Sequence, residues 1–291
     1  MKPEIITNYR CQIGEGPIWH KMEKRLYWVD IPRGEVFRFD PATNTGEIYY
    51  KGEEPVTGLT IQEDGSILFF FQKGAVANFK DGNLNIIIDH IPGMSGSGLN
   101  DMIADPKGRV LWGSIPKDLF SGKRTCGLHR IDTDGSTSLV EEGIGVSNGL
   151  GFSPGGKHLY YTDTMVRTIY RYDYDQESGA LSNRKVFVEI QEEDGDPDGM
   201  TVDAEGYVWS ALWGSNSVVR FDPLGKEDRR VRLPAMKISC VCFGGDDYED
   251  MYVTSAIAGP MGQDDSEAAG ALFRVRAGIR GVPEYFSRIG L

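Results

Sequence analysis

Short apolar runs recur along the chain. Each is entered through a polar residue and glycine, and each leaves through an Asp/Gly or Pro/Gly turn into a second run carrying Tyr or Trp. Asp198-Gly199-Met200-Thr201-Val202, the turn Asp203-Ala204-Glu205-Gly206 and Tyr207-Val208-Trp209 form the clearest copy. Parallel copies begin at Glu15, Thr57, Asn100, Asn148 and, more weakly, Ser239, so the spacings lie between 41 and 50 residues. A period in that range with strand content throughout predicts propeller blades, and six copies predict six blades. A third run follows in most copies, as in Val36-Phe37-Arg38-Phe39-Asp40 and Val218-Val219-Arg220-Phe221-Asp222. Its apolar/polar alternation fits a sheet whose two faces meet different neighbours. Because its Arg recurs from blade to blade, we assign that residue to structure, and Trp28, Trp112 and Trp209 to packing between blades.

The predicted fold is all-β, a six-bladed β-propeller covering residues 1–291 as one domain, since no blade buries both faces of its sheet alone. Residues 4–9 are expected to form a strand that closes the last blade beside the run Val282–Ile289. The 37 glycines suit many tight turns. No apolar run is long enough to cross a membrane, and no apolar stretch with a cleavage site opens the chain, so a cytoplasmic monomer is the expectation. A formal charge of −12 excludes nucleic acid and anionic membrane surfaces as partners. Cys11, Cys126, Cys240 and Cys242 have no zinc-type spacing and are expected to be buried free thiols.

Candidate chemistry enters through the first polar position of each copy. In a propeller these positions ring the central channel, and here they read Glu15, Thr57, Asn100, Asn148, Asp198 and Ser239. Such a ring is either a channel lining satisfied by water or a set of hard-cation ligands, for which carboxylate and amide oxygens are suited. Two insertions, Ile115–Gly127 and Ala258–Gly270, fall between second and third strands and are expected over one end of the channel. The four histidines lie off the ring, and no nucleophile elbow or phosphate loop is present.

Gly14-Glu15-Gly16-Pro17 with Trp19, Asn100-Asp101 ahead of Asp105-Pro106, Ser147-Asn148-Gly149-Leu150 ahead of Phe152-Ser153-Pro154, and Pro197-Asp198-Gly199-Met200 resemble the senescence-marker-protein/gluconolactonase/luciferin-regenerating family. The resemblance spans nearly the whole chain. It implies a six-bladed propeller with one divalent metal in its channel, a hydrolase opening a small-molecule lactone, usually a sugar lactone. By position it implies Glu15, Asn148 and Asp198 as metal ligands, Asp198 also as general base, and Asn100 as a substrate contact. Asp101, Met102 and Arg124 are the further expected substrate contacts. The metal is expected to be Ca²⁺ or Zn²⁺, with Mg²⁺, Mn²⁺ and Fe²⁺ as the other choices. Many lactonases of the family carry Arg two residues before this Asn; here that position is Gly98, and Met102 replaces a glycine. An uronic, deoxy or less polar lactone suits such a pocket better than a simple aldonolactone. The competing functions are a phosphotriester or other ester hydrolase and a non-catalytic binding propeller.

Overall fold

A computed structural model of the chain describes residues 2–92, 94, 97–119 and 122–290. Six four-stranded antiparallel sheets are arranged in a ring. Blade one, for example, runs outward through Gly14–His20, Arg25–Asp30, Glu35–Asp40 and Thr45–Lys51. Burial follows the same direction. Val56–Ile61 and Ile67–Phe71, the two inner strands of blade two, are fully buried, whereas Asn83–Ile88 at its rim is mostly exposed. Trp28 and Trp112 stand at equivalent places on second strands and Trp209 one residue out of register with them; all three are 0–1% exposed and fill the space between sheets.

Strand Glu4–Thr7 takes the outer edge of blade six, paired with Leu272–Arg276. The C-terminal run 282–289, expected beside it, lies elsewhere. It crosses the face of the ring that carries the turns between first and second strands. Gly281 N–H donates to Tyr248 O, Ser287 N–H to Ile61 O, Arg288 N–H to Gly108 O and Gly290 N–H to Thr133 O. The tail therefore caps three separated parts of the ring. It adds no strand to a blade, because Pro283 has no N–H to donate and Ser287 and Arg288 spend theirs on those turns, Ser287 making only an isolated bridge to Gln62.

All four cysteines are free and buried. His129 stacks on Trp112, with ring centroids 4.2 Å apart, and burial lowers its pKa to about 4. Its neutral form belongs to the fold, and unfolding lets it take up a proton at any pH between that value and the ordinary histidine range. Stability is therefore expected to fall as pH drops from about 6.5 to about 4. His129→Phe should flatten that part of a Tm-against-pH curve; an unchanged slope would refute this account.

Candidate metal and substrate pocket

Every innermost strand carries a register break at its ring position: between Glu15 and Ile18, Val56 and Gly58, Leu99 and Met102, Ser147 and Leu150, Pro197 and Met200, and Ile238 and Val241. A bulge re-aims side chains and lets two successive residues address one side. The glycine after the ring residue follows from the same crowding. A Cβ on Gly149 would lie 2.5 Å from Asp198 O, and one on Gly199 would lie 2.3 Å from Cys240 Sγ. The polar-residue–glycine motif thus marks where neighbouring innermost strands touch.

Glu15, Thr57, Asn100, Asn148 and Asp198 line one open pocket of about 440 Å³. The three predicted metal ligands are buried within it, at 8%, 8% and 6% exposure for Glu15, Asn148 and Asp198. Asn148 Nδ2 donates to Thr164 Oγ1 (3.1 Å), whose hydroxyl donates to Pro197 O (2.7 Å), so Asn148 Oδ1 is the atom left for the channel. Asn100 Nδ2 donates to Ser147 O at 2.7 Å and to Asn148 Oδ1 at 3.3 Å, which leaves its own Oδ1 as an acceptor. Thr57 spends its hydroxyl on Phe70 O. Buried aspartates hold the segments leading into two ring positions. Asp30 accepts from the N–H groups of Gln12 and Ile13, and Asp163 from those of Gly145 and Val146. Both end a second strand, a repetition visible in the sequence that points to this anchoring role.

The electrostatics of the pocket are those of crowded acids. Burial, then the Asp198 and Asp101 carboxylates, push Glu15 well above the ordinary carboxylate range. Burial, then Asp101, push Asp198 up in the same way, against a hydrogen bond from Asn148. Burial alone raises Asp101 to about 7. Among the described residues, none of the three is paired with Lys, Arg or His. Two buried carboxyls and an amide oxygen converging without a compensating charge fit a divalent cation held by oxygen.

Other expected residues lie elsewhere. Asp101 and Met102 line a small cavity of about 40 Å³ deeper in the channel, with Cys240 and Glu284, rather than the outer pocket. The bulge turns Asn100 outward and Asp101 inward. Arg124 donates to Asp163 Oδ2 (2.9 Å) and Gly143 O (2.8 Å) and is not part of the pocket lining. At the blade-six position, Ser239 donates to Gly14 O of blade one at 2.6 Å and stands 3.0 Å from Thr254 Oγ1 of its own blade. Cys240, not Ser239, is the residue that reaches the channel, one step beyond the expected ring position. Glu284 arrives from the tail, and no periodicity announces it.

Both insertions meet the pocket, Ile115 and Leu119 from one and Pro260 from the other. Phe120 and Ser121 lie outside the described residues. Trp213 Nε1 donates to Pro260 O at 3.3 Å, and Lys237 Nζ donates to Ala258 O at 3.1 Å, which pins the second insertion at the mouth. Ile13, Ile31, Leu99, Val146 and Met165 add an apolar wall. The space near Gly98 is already occupied, since a Cβ there would meet Gln72 Cγ at 3.3 Å and Ile115 Cγ2 at 3.4 Å. Arg167, with a left-handed φ of 49°, donates to Asp196 Oδ1 at 2.8 Å, and both line the pocket.

A family profile described as SMP-30/Gluconolactonase/LRE-like region matches residues 13–257. The chain is 43% identical to pentonolactonase XacC of Haloferax volcanii over 98% of each chain, and 32% identical to regucalcin of Xenopus laevis over 97% of each. Among solved structures, a luciferin-regenerating enzyme superposes with a TM-score of 0.90 at 25% identity, over 99% of both chains.

Proposed function

The chain belongs to the SMP-30/gluconolactonase/LRE-like family and is a lactonase, and from that premise we propose that it opens a small sugar-derived lactone, of the five-carbon class, with a divalent cation held by Glu15, Asn148 and Asp198. The observation that carries this reading is the convergence of those three side chains, with Asn100 beside them, in one pocket from blades one, three, four and five. When bound, the cation supplies positive charge that polarises the lactone carbonyl.

The protein's own groups do the rest. Asp198 takes a proton from the water that attacks the carbonyl carbon, and returns it as the ring oxygen leaves. Asn100 Oδ1 accepts a substrate hydroxyl, because its Nδ2 is held by Ser147 O. Thr164 keeps the Asn148 amide from turning over. The insertions and Trp213 narrow access to the pocket.

Substrate size follows from the wall. The guanidinium that many relatives aim at sugar hydroxyls is missing at Gly98, and Ile115, Leu99, Val146 and Met165 present no donor. A lactone with fewer hydroxyls than a hexonolactone loses less in such a pocket, since each unpaired hydroxyl costs desolvation. The relative named pentonolactonase supports the same size class, so a short aldonolactone takes the place of the uronic, deoxy or less polar lactone expected from the sequence. Acid release from a lactone panel, followed with a pH indicator, tests the reading. We expect kcat/KM for a pentonolactone to exceed that for glucono-1,5-lactone about tenfold or more, the loss of one poorly met polar group. The reverse preference would overturn the size assignment while leaving lactone hydrolysis intact.

A further inference from the structure

We infer that the channel contains a second cation site, selective for thiophilic metals, built from Cys240, Asp101 and Glu15 beneath the oxygen-lined pocket. One ligand atom from each of these three residues lies within 4.8 Å of the others. Ligands of a single Zn²⁺-like ion, at about 2.0–2.3 Å from the metal, stand a little closer together than that, so small side-chain rotations complete the set. The residues come from blades six, three and one, and the bulge in each innermost strand is what brings them to the same level.

Three further observations point to an occupant. A separate cavity of about 40 Å³ adjoins the cluster and shares no lining residue with the outer pocket; it is roomy enough for one ion or water. Cys240 is 7% exposed and lines that cavity, its Sγ set against Gly199, where no side chain is tolerated. The carboxylates of Asp101 and Glu284 face the same space, and among the described residues neither accepts a hydrogen bond. Both are half-buried, and carboxyl groups placed there without protein donors call for a cation or water to meet them.

The donor set decides the class of ligand. A thiolate with carboxylates favours Zn²⁺, Cd²⁺ or Co²⁺ over Ca²⁺ and Mg²⁺, whereas the outer set, all oxygen, has no such bias. Binding releases the thiol proton to solvent as the metal–sulfur bond forms. Glu15 is the one residue common to both sites, which makes occupancy of the inner site felt at the outer one. The inner site does not depend on the lactone assignment.

Titrating chelator-treated protein with Cd²⁺ and then Co²⁺ tests this by the sulfur-to-metal charge-transfer absorption in the near ultraviolet. The native protein is expected to show the band saturating near one equivalent, and Cys240→Ser is expected to lack it while Cys11, Cys126 and Cys242 remain. Asp101→Asn keeps the thiol and should retain the band with affinity weakened about tenfold or more. Its titration remains informative if the serine variant fails to fold. No band in folded native protein, an unchanged band in Cys240→Ser, or unchanged affinity in Asp101→Asn would each overturn the site as drawn. Lactone hydrolysis measured alongside reports on the outer pocket, where occupancy of the inner site is felt through Glu15.

Discussion

Asp198→Asn is expected to lower kcat for lactone hydrolysis about a hundred- to ten-thousandfold, the range a positioned general base supplies. The substitution is nearly isosteric, and the tight approach of Gly149 to the Asp198 backbone does not involve the carboxylate, so the propeller should form normally. Two effects combine in the loss: the amide cannot take the water's proton, and one anionic ligand disappears. The variant also makes a second, opposite prediction. In chelated protein, Asp198 is an acid whose folded pKa lies well above its ordinary value because of burial and Asp101. Such a group destabilises the fold wherever the unfolded chain would ionise and the folded one resists, that is, above about pH 4. Chelated Asp198→Asn should therefore melt higher than chelated native protein at pH 8, and the difference should vanish near pH 4. Activity within threefold of native, with the fold intact, would remove Asp198 from the reaction.

The architecture was legible because a propeller writes one residue per blade at the same place. Glu15, Asn100, Asn148 and Asp198 stand at the copies' first polar positions and do meet in one pocket. The insertions were legible for the same reason, since interruptions of a period locate loops on one end of the ring. What was hidden is the register break in each innermost strand. Strict alternation sends Asp101 away from the site of Asn100 and makes Ser239 the blade-six representative; the bulges place Asp101 inside the channel and exchange Ser239 for Cys240. Glu284 was invisible for a different reason. It lies in a tail with no repeat, and only tertiary docking across the turns of blades two, three and six carries it to the channel. Arg124 shows the limit of reading a loop, because its direction is set by the buried Asp163, whose charge it meets at 2.9 Å.

Chelation is expected to abolish hydrolysis reversibly and to lower Tm by about 4–5 °C relative to protein at a hundredfold excess of cation over Kd, the size mass action predicts for a chain of this length. The physical reason lies in the acids already described. With no cation, Glu15 and Asp198 face each other in a buried space, and each is pushed toward its protonated form. A divalent cation reverses the sign of that interaction and must displace whatever protons the pair holds. Affinity should consequently fall as pH is lowered, and binding should release protons, most of them at the acidic end. Calorimetric titration in two buffers of different ionisation enthalpy measures that release directly. Full activity and unchanged Tm in rigorously chelated protein would mean that the carboxyl pair works without a metal. Asp198 would then have to share a proton with Glu15, as two crowded acids do, and the optimum of kcat would follow that pair's titration instead of cation occupancy.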